Sequence, residues 1–227
     1  MNDRGCAMGE YYNWVNVDRR EYICPSDFDL GNKLWETSAP RNAFLCALKE
    51  LLGNEWVGSH IVFLGDSQEL SRDDDNGTIK TLYDHSVESG YEGIGFDTVF
   101  ETYKNISCLF SGSEKNVRKE IGFYIREVEI GETSAFNEYG VDIIDPYKGL
   151  FAKNGRDYKY TLNHTKRLYY SLGDSLIIGC DDKNIDPLPY LLRHGYNGIG
   201  EWVGDIVGVS DDVPEGYMLL KTITVDY

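Results

Sequence analysis

The sequence predicts an α+β fold built from two diverged ββαββ modules with mainly antiparallel sheets, each carrying one short helix, joined by a β-rich insertion. Three observations carry that expectation: an internal repeat of landmark residues, runs rich in Val, Ile, Tyr and Thr around the landmarks, and matching helix signals between them. The first copy is expected over residues 12–83, the insertion over 84–157 and the second copy over 158–227. Residues 1–11 are expected as a disordered leader.

The first copy opens with Tyr12-Asn-Trp-Val-Asn16-Val-Asp-Arg19-Arg20-Glu-Tyr22 and the second with Tyr158-Lys-Tyr-Thr-Leu-Asn163-His-Thr-Lys166-Arg167-Leu-Tyr169. Each reads as strand, Asn, two-residue turn, basic pair and aromatic strand, with Asn taking the left-handed turn conformation. Trp56-Val-Gly58-Ser-His-Ile61-Val-Phe-Leu-Gly-Asp66 then matches Trp202-Val-Gly204-Asp-Ile206-Val-Gly-Val-Ser-Asp211. The two tryptophans follow their asparagines by 40 and 39 residues, so order and spacing agree.

Between these landmarks the first copy has Ser38 as a cap and Pro40 in a first turn. Phe44, Ala47, Leu48, Leu51 and Leu52 then share one helical face, and Gly53 closes the helix. The second copy has Asp186 as cap, Pro187 at the first helical position, the stripe Leu188, Leu191 and Leu192, and Gly195 beyond. His194, near that end, suits the helix dipole when protonated. A polar turn and a last strand follow in each copy: Ser71–Gly77 then Thr78–Tyr83, and Asp211–Gly216 then Tyr217–Val225.

In the insertion, Thr98–Phe110 and Lys119–Ile130 carry strand-type residues, and Gly-Phe-Tyr-Ile-Arg-Glu-Val-Glu-Ile alternates as a half-buried strand does. Residues 137–157 read as a surface loop with a turn at Asp145-Pro146. The smaller echo Gly90-Tyr91-Glu-Gly93-Ile94-Gly95 and Gly195-Tyr196-Asn-Gly198-Ile199-Gly200 is expected as two tight loops with Tyr and Ile packed beneath. Neither copy is expected to have the strand before and helix after that a phosphate-binding loop needs.

Composition bounds function. The 227 residues are 41% hydrophobic and 13% aromatic, enough to bury a core. Lys and Arg total 22 against 38 Asp and Glu, a net charge of −16, which disfavours nucleic acid and anionic membrane surfaces. Cys6, Cys24, Cys46, Cys108 and Cys180 are odd in number and form no CxxC pair, so neither a disulfide framework nor a zinc site is expected. Without a signal-peptide pattern or a membrane-length apolar run, the expected location is the cytoplasm.

No nucleophile elbow, SxxK pair or metal-ligand spacing appears among the serines, cysteines and four histidines, so no catalytic residue, metal or cofactor is assigned. Cys180 precedes Asp181-Asp182, an anionic setting that argues against an activated thiolate. The acidic stretches Asp181–Asp186 and Asp73–Gly77 fail the calcium-loop pattern at the glycine position, and the first also lacks the final acid. The polar residues singled out for binding are the repeated turns, Asn16 with Arg19 and Arg20 and Asn163 with Lys166 and Arg167, and the repeated acids Asp66 and Asp211. The basic pairs suit a carboxylate or phosphate, and the acids suit a paired site across a local twofold axis.

The leading functional expectation is an acidic intracellular protein-binding module with a protein partner of basic character, such as an immunity or inhibitor protein against a basic toxin or nuclease. The alternatives are an enzyme with a cleft between the modules, and a structural or assembly component. An acidic-aromatic convex surface favours the first, and an apolar cleft with paired carboxylates favours the second.

Overall fold

The computed structural model describes residues 10–67, 69–137, 140, 151–179, 184–196 and 198–225. In chain order the elements are β1 (Tyr12–Asn16), β2 (Glu21–Ile23), α1 (Leu34–Thr37), α2 (Ala43–Gly53), β3 (Ile61–Gly65), α3 (Gly77–Glu88), α4 (Gly95–Thr102), β4 (Lys104–Asn105), α5 (Glu114–Glu129), β5 (Tyr160–Asn163), β6 (Leu168–Tyr170), β7 (Leu176–Ile178), α6 (Leu188–Leu192), β8 (Arg193–Gly195), β9 (Gly198–Ile199), β10 (Val207–Ser210), β11 (Met218–Leu219) and β12 (Thr222–Thr224). Helix and sheet are mixed, as the α+β expectation requires. The sheets run β4-β2-β1-β3-β8-β9, β10-β5-β6-β11 and β12-β7.

In the first sheet β1 lies antiparallel between β2 and β3, with Trp14 opposite both Ile23 and Phe63. In the second, β5 lies antiparallel between β6 and β10, with Asn163 opposite both Leu168 and Val207. The outer pairings β2–β4, β3–β8, β6–β11 and β7–β12 are parallel. They join segments distant in sequence, which hairpin spacing does not reveal, so the sheets are more mixed than expected.

Alternation in the first sheet divides its side chains between two cores. Trp14, Ile23, Ile61 and Phe63 enter the larger, with Phe44, Leu48 and Leu51 of α2 and with Tyr170, Leu188, Trp202 and Val207 from the other half of the chain. Val15, Tyr22, Val62 and Leu64 enter the second, closed by Ile79 and Leu82 of α3 and Val99 of α4. Packing crosses between halves in both directions: α2 lies on β10, and α6 lies on β3. An antiparallel bridge pairs His60 with Ile206, the residues just before β3 and β10.

Several expectations fail locally. Thr78–Tyr83 is helical, because Asn76 accepts the Thr78 and Ile79 N–H groups and Ile79, Leu82, Tyr83 and Ser86 repeat at helical spacing against the sheet. The first copy is therefore not ββαββ. Thr98–Phe110 combines the end of α4, the short β4 and a 3-10 turn. Lys119–Ile130 falls on α5, where Val117, Ile121, Tyr124, Ile125 and Val128 recur at helical spacing while the apparent alternation is local. Asn42, not Ser38, caps α2 by accepting the Leu45 N–H at 2.7 Å, which leaves Pro40 outside the helix.

His194 lies in β8 beside Leu64, and burial holds its pKa below the usual value, so it stays neutral and is no dipole partner. Glu10 and Tyr11 are ordered into the sheet edge rather than a leader: the buried Glu10 carboxylate accepts the Tyr12 hydroxyl and the Tyr196 N–H. Residues 1–9 lie outside the described residues, as does the Asp145-Pro146 turn. In the glycine echo, Gly90, Gly93 and Gly198 take positive φ, but Ile94, Tyr196 and Ile199 are exposed, and Gly95 opens α4.

Phe44 stands where α2 meets the first sheet, within 6.5 Å ring-centroid distance of Trp14 and 6.4 Å of Phe63. Phe44→Ala is expected to lower unfolding free energy by about 3–5 kcal/mol in urea titration, as large core cavities do. A loss below about 1 kcal/mol would contradict this core.

Candidate functional site

The repeated turns are built alike. Asn16 Oδ1 accepts the Arg19 N–H at 2.9 Å, and Asn163 Oδ1 accepts the Lys166 N–H at 2.8 Å. The left-handed position is taken by Arg20 (φ 52°) and Arg167 (φ 54°), not by the asparagines. The asparagines are fully buried, so their amides fix the turn rather than meet a ligand. The basic side chains turn to acids nearby: Arg19 to Glu21 at 3.0 Å, Arg20 to Glu88 at 2.8 Å, and Lys166 to Asp205 at 2.6 Å.

Asp66 and Asp211 are not brought together. Asp66 Oδ1 accepts the Tyr11 N–H and the Ser67 hydroxyl, both at 3.0 Å, whereas Asp211 accepts from Arg156 and from the Lys159 N–H. The His60–Ile206 bridge joins the starts of β3 and β10 with opposite strand directions, so the acids beyond their far ends diverge. Strand register also sets Gly65, not Asp66, in the place of Asp211, a slip of one residue. Trp56 and Trp202 are both buried in the larger core, and Trp56 Nε1 donates to Glu21 at 2.8 Å.

Sequence reading passed over the most charged surface. Residues 66–101 hold ten Asp and Glu against Arg72 and Lys80, half of the net charge of −16. Reading 71–83 as a turn and strand and the rest of this stretch as insertion hid the arrangement, although a running charge count would have found it. Helices α3 and α4 pack on each other and on the first sheet, burying Ile79, Leu82 and Val99. Their outward sides present Asp84, Glu88, Glu92, Asp97 and Glu101 together with exposed Val87, Ile94 and Phe100.

A second feature is internal. Lys49, on α2, is 3% exposed, with its ammonium 2.7 Å from Asp157 Oδ1 and 2.8 Å from Asp186 Oδ2. Asp186 is fully buried and also accepts the Tyr170 hydroxyl at 2.5 Å and the Leu188 N–H at 3.1 Å. The second oxygen of Asp157 meets Arg41 Nε at 3.0 Å. Burial alone would lower the Lys49 pKa, but Asp186 and Asp157 outweigh it and hold it above the usual lysine value. Burial would raise Asp157, yet Lys49 and Arg41 hold it below the usual aspartate value. Lys49 sits in a helix apolar on nearly every side, which was its signal in the sequence.

Among the described residues no group of three His, Cys, Asp or Glu is placed to hold a metal ion, and no helix is long and apolar enough to cross a membrane. Burial pushes the Cys24 thiol up to about 11 and the Cys108 thiol up to about 12, so neither is a ready thiolate at neutral pH.

Lys49→Met orphans the buried Asp186 carboxylate, and a loss of about 3–5 kcal/mol is expected at neutral pH. The raised Lys49 pKa gives stability that is complete below 10.5 and fades as pH rises through the folded value; the depressed Asp157 pKa gives stability complete above 3.8 and lost as pH falls. The wild-type advantage over Lys49→Met in urea titrations should therefore be flat through neutral pH and shrink at both extremes. An advantage that does not vary with pH would contradict the ion pair. In comparisons with known proteins, no family model, no curated protein and no solved structure matches the chain.

Proposed function

We propose that this chain is an acidic protein-binding module whose α3–α4 face docks a basic protein partner, in the manner of an inhibitor or immunity protein that neutralises a basic toxin or nuclease. The observation that carries this reading is that α3, α4 and the loop between them expose Asp84, Glu88, Glu92, Asp97 and Glu101 together with Val87, Ile94 and Phe100. An acidic surround steers a basic partner and sets its orientation, while an apolar and aromatic centre supplies the burial that holds it. The enzyme alternative gains no such support, since Asp66 and Asp211 stand apart. In this reading the partner is met in the cytoplasm, the compartment that the free thiols of Cys24 and Cys46 favour.

The reading includes an origin by duplication. Its support is the shared strand order of β3-β1-β2 and β10-β5-β6, the two Asn-fixed turns and the reciprocal packing of α2 and α6. The repeat is then the scaffold, and α3–α4 is an addition to the first copy alone.

Tagged protein recovered from its native lysate at low salt should carry a stoichiometric basic protein that is lost as salt rises, because exposed charge attraction is screened. The variant Glu88→Lys/Asp97→Lys/Glu101→Lys should lose that partner at all salt concentrations while keeping the wild-type circular dichroism, and Phe100→Ala should weaken it at least tenfold. A partner held equally by the charge-reversed variant would overturn the assignment of this face.

A further inference from the structure

We propose that a second site lies on the opposite side of α2: the cavity between that helix and the 157–161 and 170–174 segments binds a small metabolite through an oxyanion, a phosphate or carboxylate group. The cavity measures about 390 Å³ and is lined by Arg41, Lys49, Asp157, Lys159, Ser171 and Asp174, among others. That volume is in the range of small-molecule sites.

The ligand class follows from a donor and acceptor inventory. Both oxygens of Asp157 are occupied, one by Lys49 and one by Arg41, and Asp174 Oδ2 accepts the Ser171 hydroxyl at 2.8 Å. Donors remain: the Lys49 ammonium has a third hydrogen beyond those on Asp157 and Asp186, and among the described residues Arg41 Nη1 and Nη2 have no partner. The Lys159 ammonium rests over the Tyr160 ring at 4.9 Å. With the buried Asp186 counted, three cations balance three carboxylates, so the cavity is locally neutral in a protein whose net charge is −16, and Arg41 and Lys49 keep unspent donors. Such a cavity complements an acceptor-rich anion, and a planar guanidinium beside an ammonium suits an oxyanion.

The backbone sets where the wall's side chains start. Arg41 holds a left-handed backbone (φ 60°) just before the Asn42 cap, which sets where its side chain leaves the chain. On the other wall the Arg156 N–H donates to the Cys46 carbonyl at 3.0 Å, and a Cβ at Gly155 would come within 2.7 Å of the Cys46 backbone. Only glycine lets the 155–159 segment of the wall lie this close to α2.

The inference stands apart from the acidic face, and its test leaves that reading untouched. Purified protein is titrated calorimetrically with inorganic phosphate and, separately, with acetate, at constant ionic strength with chloride as the reference. Saturable binding of either ion is expected, phosphate alone marking a phosphate ester and acetate alone a carboxylate. Arg41→Gln and Lys159→Gln, both at the rim, should each weaken that binding about tenfold or more, while Arg118→Gln on α5 leaves it unchanged. No saturable response to either ion, or an equal response from the Arg41→Gln/Lys159→Gln double variant with unaltered urea unfolding, would overturn the site.

Discussion

The charge on Lys49 is the constraint around which the two halves of this chain are joined. Helix α2 buries Phe44, Leu45, Ala47, Leu48, Leu51 and Leu52, so its lysine is almost wholly withdrawn from bulk water. An ammonium held away from solvent must be neutralised where it stands. Its partners come from the last residue of the insertion, Asp157, and from beyond it, Asp186. Helix α2 is therefore at home only when the later part of the chain has folded onto it, and Asp186 in turn positions Tyr170 and the first turn of α6.

From that junction the layers follow. The first sheet receives β8 and β9 from the later half, while α2 and α6 cross to the opposite halves. The sheet is apolar on both faces, so its second face needs a cover as well, and α3 with α4 supplies it. A helical layer laid on a sheet has its outer side free of packing duties. Here that side carries the densest acidic charge of the chain around three exposed apolar side chains. Solubility alone would be served by acids spread evenly over the surface, whereas here five of them gather in one layer.

What the sequence disclosed was the part written in local signals. The hairpins at Asn16 and Asn163, the two buried tryptophans and the helix stripe of Phe44–Leu52 were legible because each depends on residues close in sequence. The strands assigned to Thr78–Tyr83 and Lys119–Ile130 were wrong because β-branched and aromatic residues served as helix faces there, tertiary packing and the Asn76 cap overriding strand propensity. The parallel pairings join strands that are not neighbours in sequence, and the crossing of α2 and α6 and the meeting of Lys49 with Asp186 are contacts over more than one hundred residues; no short-range pattern encodes them. The singled-out polar pairs were real turns and strand ends, but the side chains of Arg19, Arg20, Lys166, Asp66 and Asp211 are engaged by neighbouring groups, and among the described residues of these pairs only Arg167 projects to the surface with no such contact. The acidic face escaped notice because residues 84–101, which carry it, were read as part of the insertion and not for the charges along helices.

Native-state hydrogen exchange as a function of urea tests the shared core most directly. If the halves close around one core, the slowest amides of α2, β3, β5 and β10 merge onto a single unfolding isotherm, with the same free energy and the same dependence on urea. If β5 and β10 open at distinctly lower free energy while α2 and β3 remain protected, the later half is a separate unit and Lys49 does not join the two.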